Sequence, residues 1–160
     1  QLDRFLLHVE IDYPDQADEL QILRRDRQTH FGEDRPRLES RLLPETVLQA
    51  RHEVAEVHIE PMLEEYAVQL INATRHVQRW VPEWEGYVDF GASPRATLAL
   101  VRAACAHAYL QGREYVIPDD LIELASDVLR HRMLPSFTAR ANQVDANGII
   151  RRLLEVVPIP

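Results

Sequence analysis

Five prolines, at positions 14, 44, 61, 94 and 118, each stand at or just before a stretch whose apolar residues recur at helical spacing. Proline is tolerated in the first turn of a helix, where its missing N–H would have no intrahelical partner and its fixed φ is already helical. The chain is therefore punctuated into successive helices, and the expected fold class is mainly α, a helical bundle. After Pro14, Asp15 and Asp18 suit an N-cap and a first-turn acid, with the helix expected to run to about Arg27. Residues 28–43 are polar and Arg-rich, with Gly32 and Pro36, and read as a loop. From Pro44 to Val57, the residues Val47, Ala50, Val54 and Val57 give one apolar face.

His58-Ile59 reads as a short extended link. After Pro61 the stripe Met62, Leu63, Tyr66, Ala67, Leu70 and Ile71 predicts another helix, and residues 77–92 a loop. The next helix is the best marked: Ser93 as N-cap, Pro94 at the first position and Gly112 past the end, with Leu98, Val101, Cys105 and Ala108 on one face. A helix from Pro118 carries Asp119 and Asp120 in its positive first turn and ends near Arg130-His131-Arg132, cations at the negative end. Residues 142–148 read as a turn, and Ile149 to Val157 as a last short helix stopped by Pro158.

One segment breaks the helical period. Leu7, Val9 and Ile11 alternate with His8, Glu10 and Asp12, the pattern of a half-buried strand over residues 5–12. A lone strand makes no sheet, so its partners are expected upstream. The start at Gln1, without Met, adds to the expectation of a piece of a longer protein.

Composition removes several functions. All 18 basic residues are Arg. Without Lys the chain holds no P-loop and no Schiff-base lysine. The five glycines, at 32, 86, 91, 112 and 148, cannot form G-x-G-x-x-G. A net charge of −8 argues against nucleic acid as a partner. The single Cys105 forbids an internal disulfide and suits a reducing, cytoplasmic setting. No apolar run approaches the roughly 18 residues of a membrane span.

Arg95 stands at the second position of a helix, where free N–H groups and the helix dipole already attract anions. It is either a phosphate ligand or an exposed cation that tolerates its place. Arg4 is either a local partner of Asp3 or a guanidinium delivered to a phosphoryl group. His52-Glu53-Val54-Ala55-Glu56 has Glu where H-E-x-x-H needs its second His, so no metal is expected. His131 reads as a helix-end cap or surface residue. Cys105, among alanines, reads as a packing residue and not a nucleophile. Trp80, Trp84 and Tyr66 read as core.

Two motifs go further. Gln1-Leu2-Asp3-Arg4-Phe5 resembles the E-A-Q-L-D-R-F segment of MoxR-type AAA+ ATPases, and Gly91-Ala92-Ser93-Pro94-Arg95-Ala96 resembles that family's sensor-2 motif. Thr74-Arg75, Gly112-Arg113, Val116-Ile117-Pro118-Asp119-Asp120, Val128-Leu129-Arg130-His131-Arg132 and Val156-Val157-Pro158 follow in the family's order. The resemblance implies that residues 1–13 end an αβα nucleotide-binding core and residues 14–160 form its helical lid. It implies that Arg4 is an arginine finger acting on a neighbouring subunit's nucleotide, and that Arg95 is sensor 2, reaching the γ-phosphate of its own.

ATP with Mg2+ is the implied ligand of the parent, bound mainly by motifs upstream, so this chain alone is not expected to bind it tightly. The implied assembly is a homo-oligomeric, hexameric ring with chaperone-like action on partners, von Willebrand factor A domain proteins among them. Ile117 departs from the family's usual Thr or Ser before the Pro, a lost N-cap of about 1 kcal/mol. The competing expectation is a stand-alone acidic helical interaction module without nucleotide chemistry.

Overall fold

The computed structural model describes residues 1–30 and 42–160. They form two compact units, Glu10–Gln49 and a larger one of Gln1–Val9 with Ala50–Pro160. The fold is mainly helical, as expected.

In the smaller unit, α1 is Gln16–His30. Asp15 caps it: its carboxylate accepts the Asp18 N–H at 2.8 Å. The helix passes the expected stop at Arg27 by three residues. Of the loop expected over 28–43, residues 31–41 lie outside the described residues. Helix α2, Pro44–Glu56, opens on its proline.

The larger unit holds α3 (Pro61–Arg75), α4 (Pro94–Leu110), α5 (Pro118–Leu129), α6 (Phe137–Ala141) and α7 (Ala146–Val156). Its core joins Tyr66, Leu70 and Ile71 of α3 to Leu100 of α4, Leu121, Val128 and Leu129 of α5, and Ile149, Ile150 and Leu153 of α7. Each such aliphatic side chain contributes about 1.5–3 kcal/mol on burial. The face expected for α4 is corrected. Leu98 is exposed, Val101 and Cys105 are half-buried, and the buried seam is Ala96, Ala99, Leu100, Ala103, Ala104 and Ala108. Apart from Leu100, only alanine methyl groups are buried where α4 packs against both α3 and α5.

The strand expected over residues 5–12 is absent. A strand needs a neighbour for its alternate N–H and C=O groups, and no described segment lies beside this one as a strand. Polar groups of the larger unit take its place. The His8 N–H donates to Asp127 O at 2.8 Å, and Arg130 Nη1 donates to His8 O at 2.8 Å. The sheet that does form is a small antiparallel pair, β1 (Val88–Phe90) and β2 (Leu134–Pro135), with Val88 opposite Pro135 and Phe90 opposite Leu134. Its first strand interrupts the expected 77–92 loop. The extended link at His58 pairs with Tyr115 in a parallel bridge.

Gly91 and Thr74 fix the start of α4. A Cβ on Gly91 would lie 2.6 Å from the Thr74 carbonyl oxygen, so the two backbones meet only because this residue is glycine. The buried Thr74 hydroxyl donates to Ile71 O at 2.7 Å and accepts the Ala92 N–H at 2.9 Å. Ser93 and Arg95 therefore leave a point anchored on α3.

Candidate functional site

Residues Leu2–Arg4 make a single 3-10 turn. Arg132 holds it. The side chain of Arg132 is only 3% exposed, and its Nε donates to Asp3 Oδ1 at 3.1 Å. Nη1 donates to Leu6 O at 3.2 Å and to Val128 O; Nη2 donates to Asp3 O at 3.3 Å and to Phe5 O. A planar guanidinium with five donors suits this task, which an ammonium would fill poorly. Burial lowers the pKa of Arg132, against the opposing pull of Asp3.

The Asp3 carboxylate also receives the Ser93 hydroxyl, at 3.2 Å and 3.0 Å from its two oxygens. Ser93 is the N-cap of α4, as expected, and its oxygen accepts the Arg95 N–H at 3.3 Å. Nη1 of Arg95 lies 3.7 Å from Asp3 Oδ2, an ion pair without a hydrogen bond. Arg95 itself is exposed.

These residues border one open pocket of about 560 Å3. Arg4, Arg95, Arg102 and Arg132 line it, with Asp3 as the one carboxylate among the lining residues and Leu6, Leu98 and Ala99 as its apolar wall. Arg102 stands seven residues after Arg95, two turns along the same helix face. Neither Arg4 nor Arg102 makes an ion pair among the described residues. Four permanent positive charges against one negative charge suit a multiply charged anion, and bidentate guanidiniums match phosphate. The same composition does not fit Mg2+, and no described group of three or more His, Cys, Asp or Glu is placed to hold a metal.

The two arginines singled out in the sequence are thus brought to one place. Two further lining residues, Arg102 and Arg132, were missed. The i, i+7 spacing from Arg95 was a usable signal for Arg102; Arg132 read only as a helix-end cation, since its partner Asp3 lies 129 residues away.

A second polar cluster was also misread. Asp120 is 1% exposed and is no surface dipole partner. It accepts from Arg113 through both oxygens, at 2.8 Å and 2.6 Å, from the Ile117 N–H at 2.8 Å and from His107 Nδ1 at 2.8 Å. Burial pushes its pKa up, but these donors outweigh it and hold the carboxyl below its ordinary value. Asp120 thereby replaces the N-cap that Ile117 lacks. No nucleophile adjoins the cluster; it ties the end of α4 to the start of α5.

Other expected roles sort as follows. Glu53 of the H-E-x-x-E segment accepts the Tyr109 hydroxyl at 2.5 Å. Cys105 is half-buried and burial raises its thiol pKa, so it is no activated nucleophile. His131 is neither a cap nor a free surface residue. Its Nε2 donates to Phe5 O at 3.2 Å, its ring meets His8 edge-on at 5.8 Å, and burial lowers its pKa. Tyr66 lies in the core, while Trp84 stacks on Tyr87 at 5.7 Å. No helix among the described residues is long and apolar enough to cross a membrane.

Comparison with known proteins gives these features a context. Residues 85–153 match the AAA lid domain. The chain is 34% identical to chaperone MoxR1 of Mycobacterium tuberculosis over 161 aligned residues, which cover all of this chain and 41% of MoxR1. It is 34% identical to the uncharacterized protein YeaC of Bacillus subtilis, covering all of this chain and 47% of YeaC. A crystal structure of a Cytophaga hutchinsonii protein assigned as an ATPase superposes with a TM-score of 0.88 at 34% identity, over 99% of this chain and 48% of that one. The chain thus spans less than half the length of these relatives. Over its whole length, and not in isolated motifs alone, the chain is homologous to MoxR-type AAA+ proteins, and residues 85–153 carry the AAA lid domain.

Proposed function

We propose that this chain serves as the lid end of an ATPase that couples ATP binding and hydrolysis to chaperone-like remodelling or activation of partner proteins, and that Arg4 and Arg95 are its contribution to the nucleotide chemistry. The observation that carries the proposal is their joint opening onto one pocket with four guanidiniums and one carboxylate. Charge spreads over the γ-phosphate oxygens as the phosphoryl group transfers, and positioned guanidiniums stabilise it there more than in the ground state. In this reading residues 1–13 close the nucleotide-binding core and residues 14–160 form the lid. The subunits form a homo-oligomeric ring in which Arg4 reaches a neighbour's nucleotide. Clients include von Willebrand factor A domain proteins, and the setting is cytoplasmic. Mg2+ bound with ATP is held by residues other than these.

The test is steady-state ATP turnover by the full-length protein. Arg4→Ala and Arg95→Ala are each expected to lower kcat, by roughly 10^3-fold for a true finger. Unaltered rates refute the reading and favour an interaction module without nucleotide chemistry. The chain by itself, having no Lys, is expected to hydrolyse no ATP.

The shared pocket also favours a second reading of Arg95, in which it acts beside Arg4 on the neighbour's nucleotide instead of on its own. Mixed rings separate the two. Arg95→Ala subunits mixed with subunits whose P-loop is disabled regain turnover if Arg95 acts across the boundary, and stay inactive if it acts within its own subunit.

A further inference from the structure

Asp3 stands between the two arginines of the proposed function and touches the supports of both. It is the central residue of the Leu2–Arg4 turn, so its backbone sets where the Arg4 side chain departs. Its carboxylate accepts from Ser93, the cap of α4, and from Arg132, while Arg95 lies 3.7 Å away. Ser93 consequently works in two directions: it gives its hydrogen to Asp3 and accepts the Arg95 N–H. Arg132 has left water almost completely, and Asp3 is the carboxylate it pairs with. Removing one partner from such a pair strands the other charge. The contacts reach beyond a local ion pair, because the same Arg132 also grips the backbone carbonyls of residues 3, 5 and 6.

We propose that Asp3 is a positioning residue that keeps Arg4 and Arg95 in a fixed relation at the rim of the pocket. The inference rests on the phosphate reading above. Through Ser93, any displacement of α4 is passed to the Leu2–Arg4 turn, so the two guanidiniums move together. Asp3 holds Arg132 at hydrogen-bond distance and Arg95 beyond it. Arg95 therefore remains free to turn to a phosphate oxygen while the turn stays fastened.

The experiment uses the full-length ATPase that carries this chain and compares Asp3→Asn, Ser93→Ala, Arg4→Ala, Arg95→Ala and the Asp3→Asn/Arg95→Ala double variant. Asn keeps the shape of Asp and removes its charge. The readouts are kcat and KM for ATP per titrated active site, the affinity for a fluorescent ATP analogue, and the thermal midpoint. Asp3→Asn is expected to lower kcat by roughly 10- to 100-fold, the cost of a misplaced catalytic group. KM and analogue affinity are expected to stay unchanged.

The double variant is expected to be no slower than Arg95→Ala alone to within about twofold, because coupled residues do not add. Independent, multiplying losses in the double variant overturn the proposal. So does wild-type turnover in Asp3→Asn beside slowed arginine variants, which leaves the phosphate reading standing. A fall in thermal midpoint and in active-site number with unchanged turnover per site shows a purely structural role, and also overturns it. Wild-type turnover in both arginine variants overturns the phosphate reading and this inference with it. Should Asp3→Asn fail to fold, Ser93→Ala alone and combined with Arg95→Ala carries the same comparison from the other side of the contact.

Discussion

Replacing Asp120 with Asn removes one negative charge from a site where Arg113 and His107 both point at it. Asp120 is 1% exposed, while the Arg113 and His107 side chains are 22% and 25% exposed. Breaking a fully buried ion pair from one side costs about 3–5 kcal/mol. Partial solvent access to Arg113 and His107 reduces that, and an amide oxygen can still accept from the Ile117 N–H, so about 2–3 kcal/mol is the reasoned cost. In a domain of this size that lowers the thermal midpoint by about 4–12 °C.

The neighbouring Asp119 is exposed in the same helical turn. Asp119→Asn therefore forfeits only a dipole contribution of about 0.3–1 kcal/mol. The assay is thermal and urea unfolding of both variants, repeated as a function of pH. The folded-state pKa of Asp120 is lowered, so its stabilisation is present above the unfolded-state value and is lost as pH falls through the folded one. Wild-type protein is expected to lose stability below about pH 4, and Asp120→Asn to lose less over the same range. Equal midpoints for the two Asp→Asn variants at neutral pH refute the account of the cluster.

Two further outcomes follow from the packing. Gly91→Ala sets a Cβ 2.6 Å from a backbone oxygen that cannot swing aside, and is expected to cost about 1–3 kcal/mol or more in urea unfolding; a neutral result means that the segment before α4 does not approach Thr74 as closely as described. Cys105, half-buried with its thiol pKa raised by burial, is expected to react with a thiol reagent far more slowly in the native protein than in denaturant. Equal rates refute its placement.

The helices were legible because their signals are local. Pro61, Pro94 and Pro118 each occupy a first helical position, and Ser93 caps α4 through its own oxygen. Residues 5–12 form no strand among the described residues because periodicity reports which faces a segment would present, while the partners expected for it lie upstream of this chain. The α4 face was misjudged because Leu98 outranks alanine in hydrophobicity, while close helix packing selects for small size. Strands of three and two residues, β1 and β2, are too short to leave a period. In the site, Arg4 and Arg95 were readable from flanking motifs. Arg132 and Asp120 were not, since their partners lie respectively 129 and 13 residues away at the most distant, and a charged side chain in a sequence looks solvated until the fold encloses it.

The alanine seam of α4 limits how this helix can change over generations. At Ala96, Ala99, Ala103, Ala104 and Ala108 any larger side chain wedges the helix away from its neighbours, and the only smaller choice, glycine, costs about 1 kcal/mol in a helix interior. Single substitutions along the seam therefore lead downhill in either direction. A larger side chain there requires a paired reduction on the facing helix, whereas exchanges on the outward face, which carries Arg95 and Arg102, alter the lining of the pocket without moving the rod beneath it. Ala99 belongs to both the seam and the pocket wall, so the packing of α4 is felt directly at the pocket.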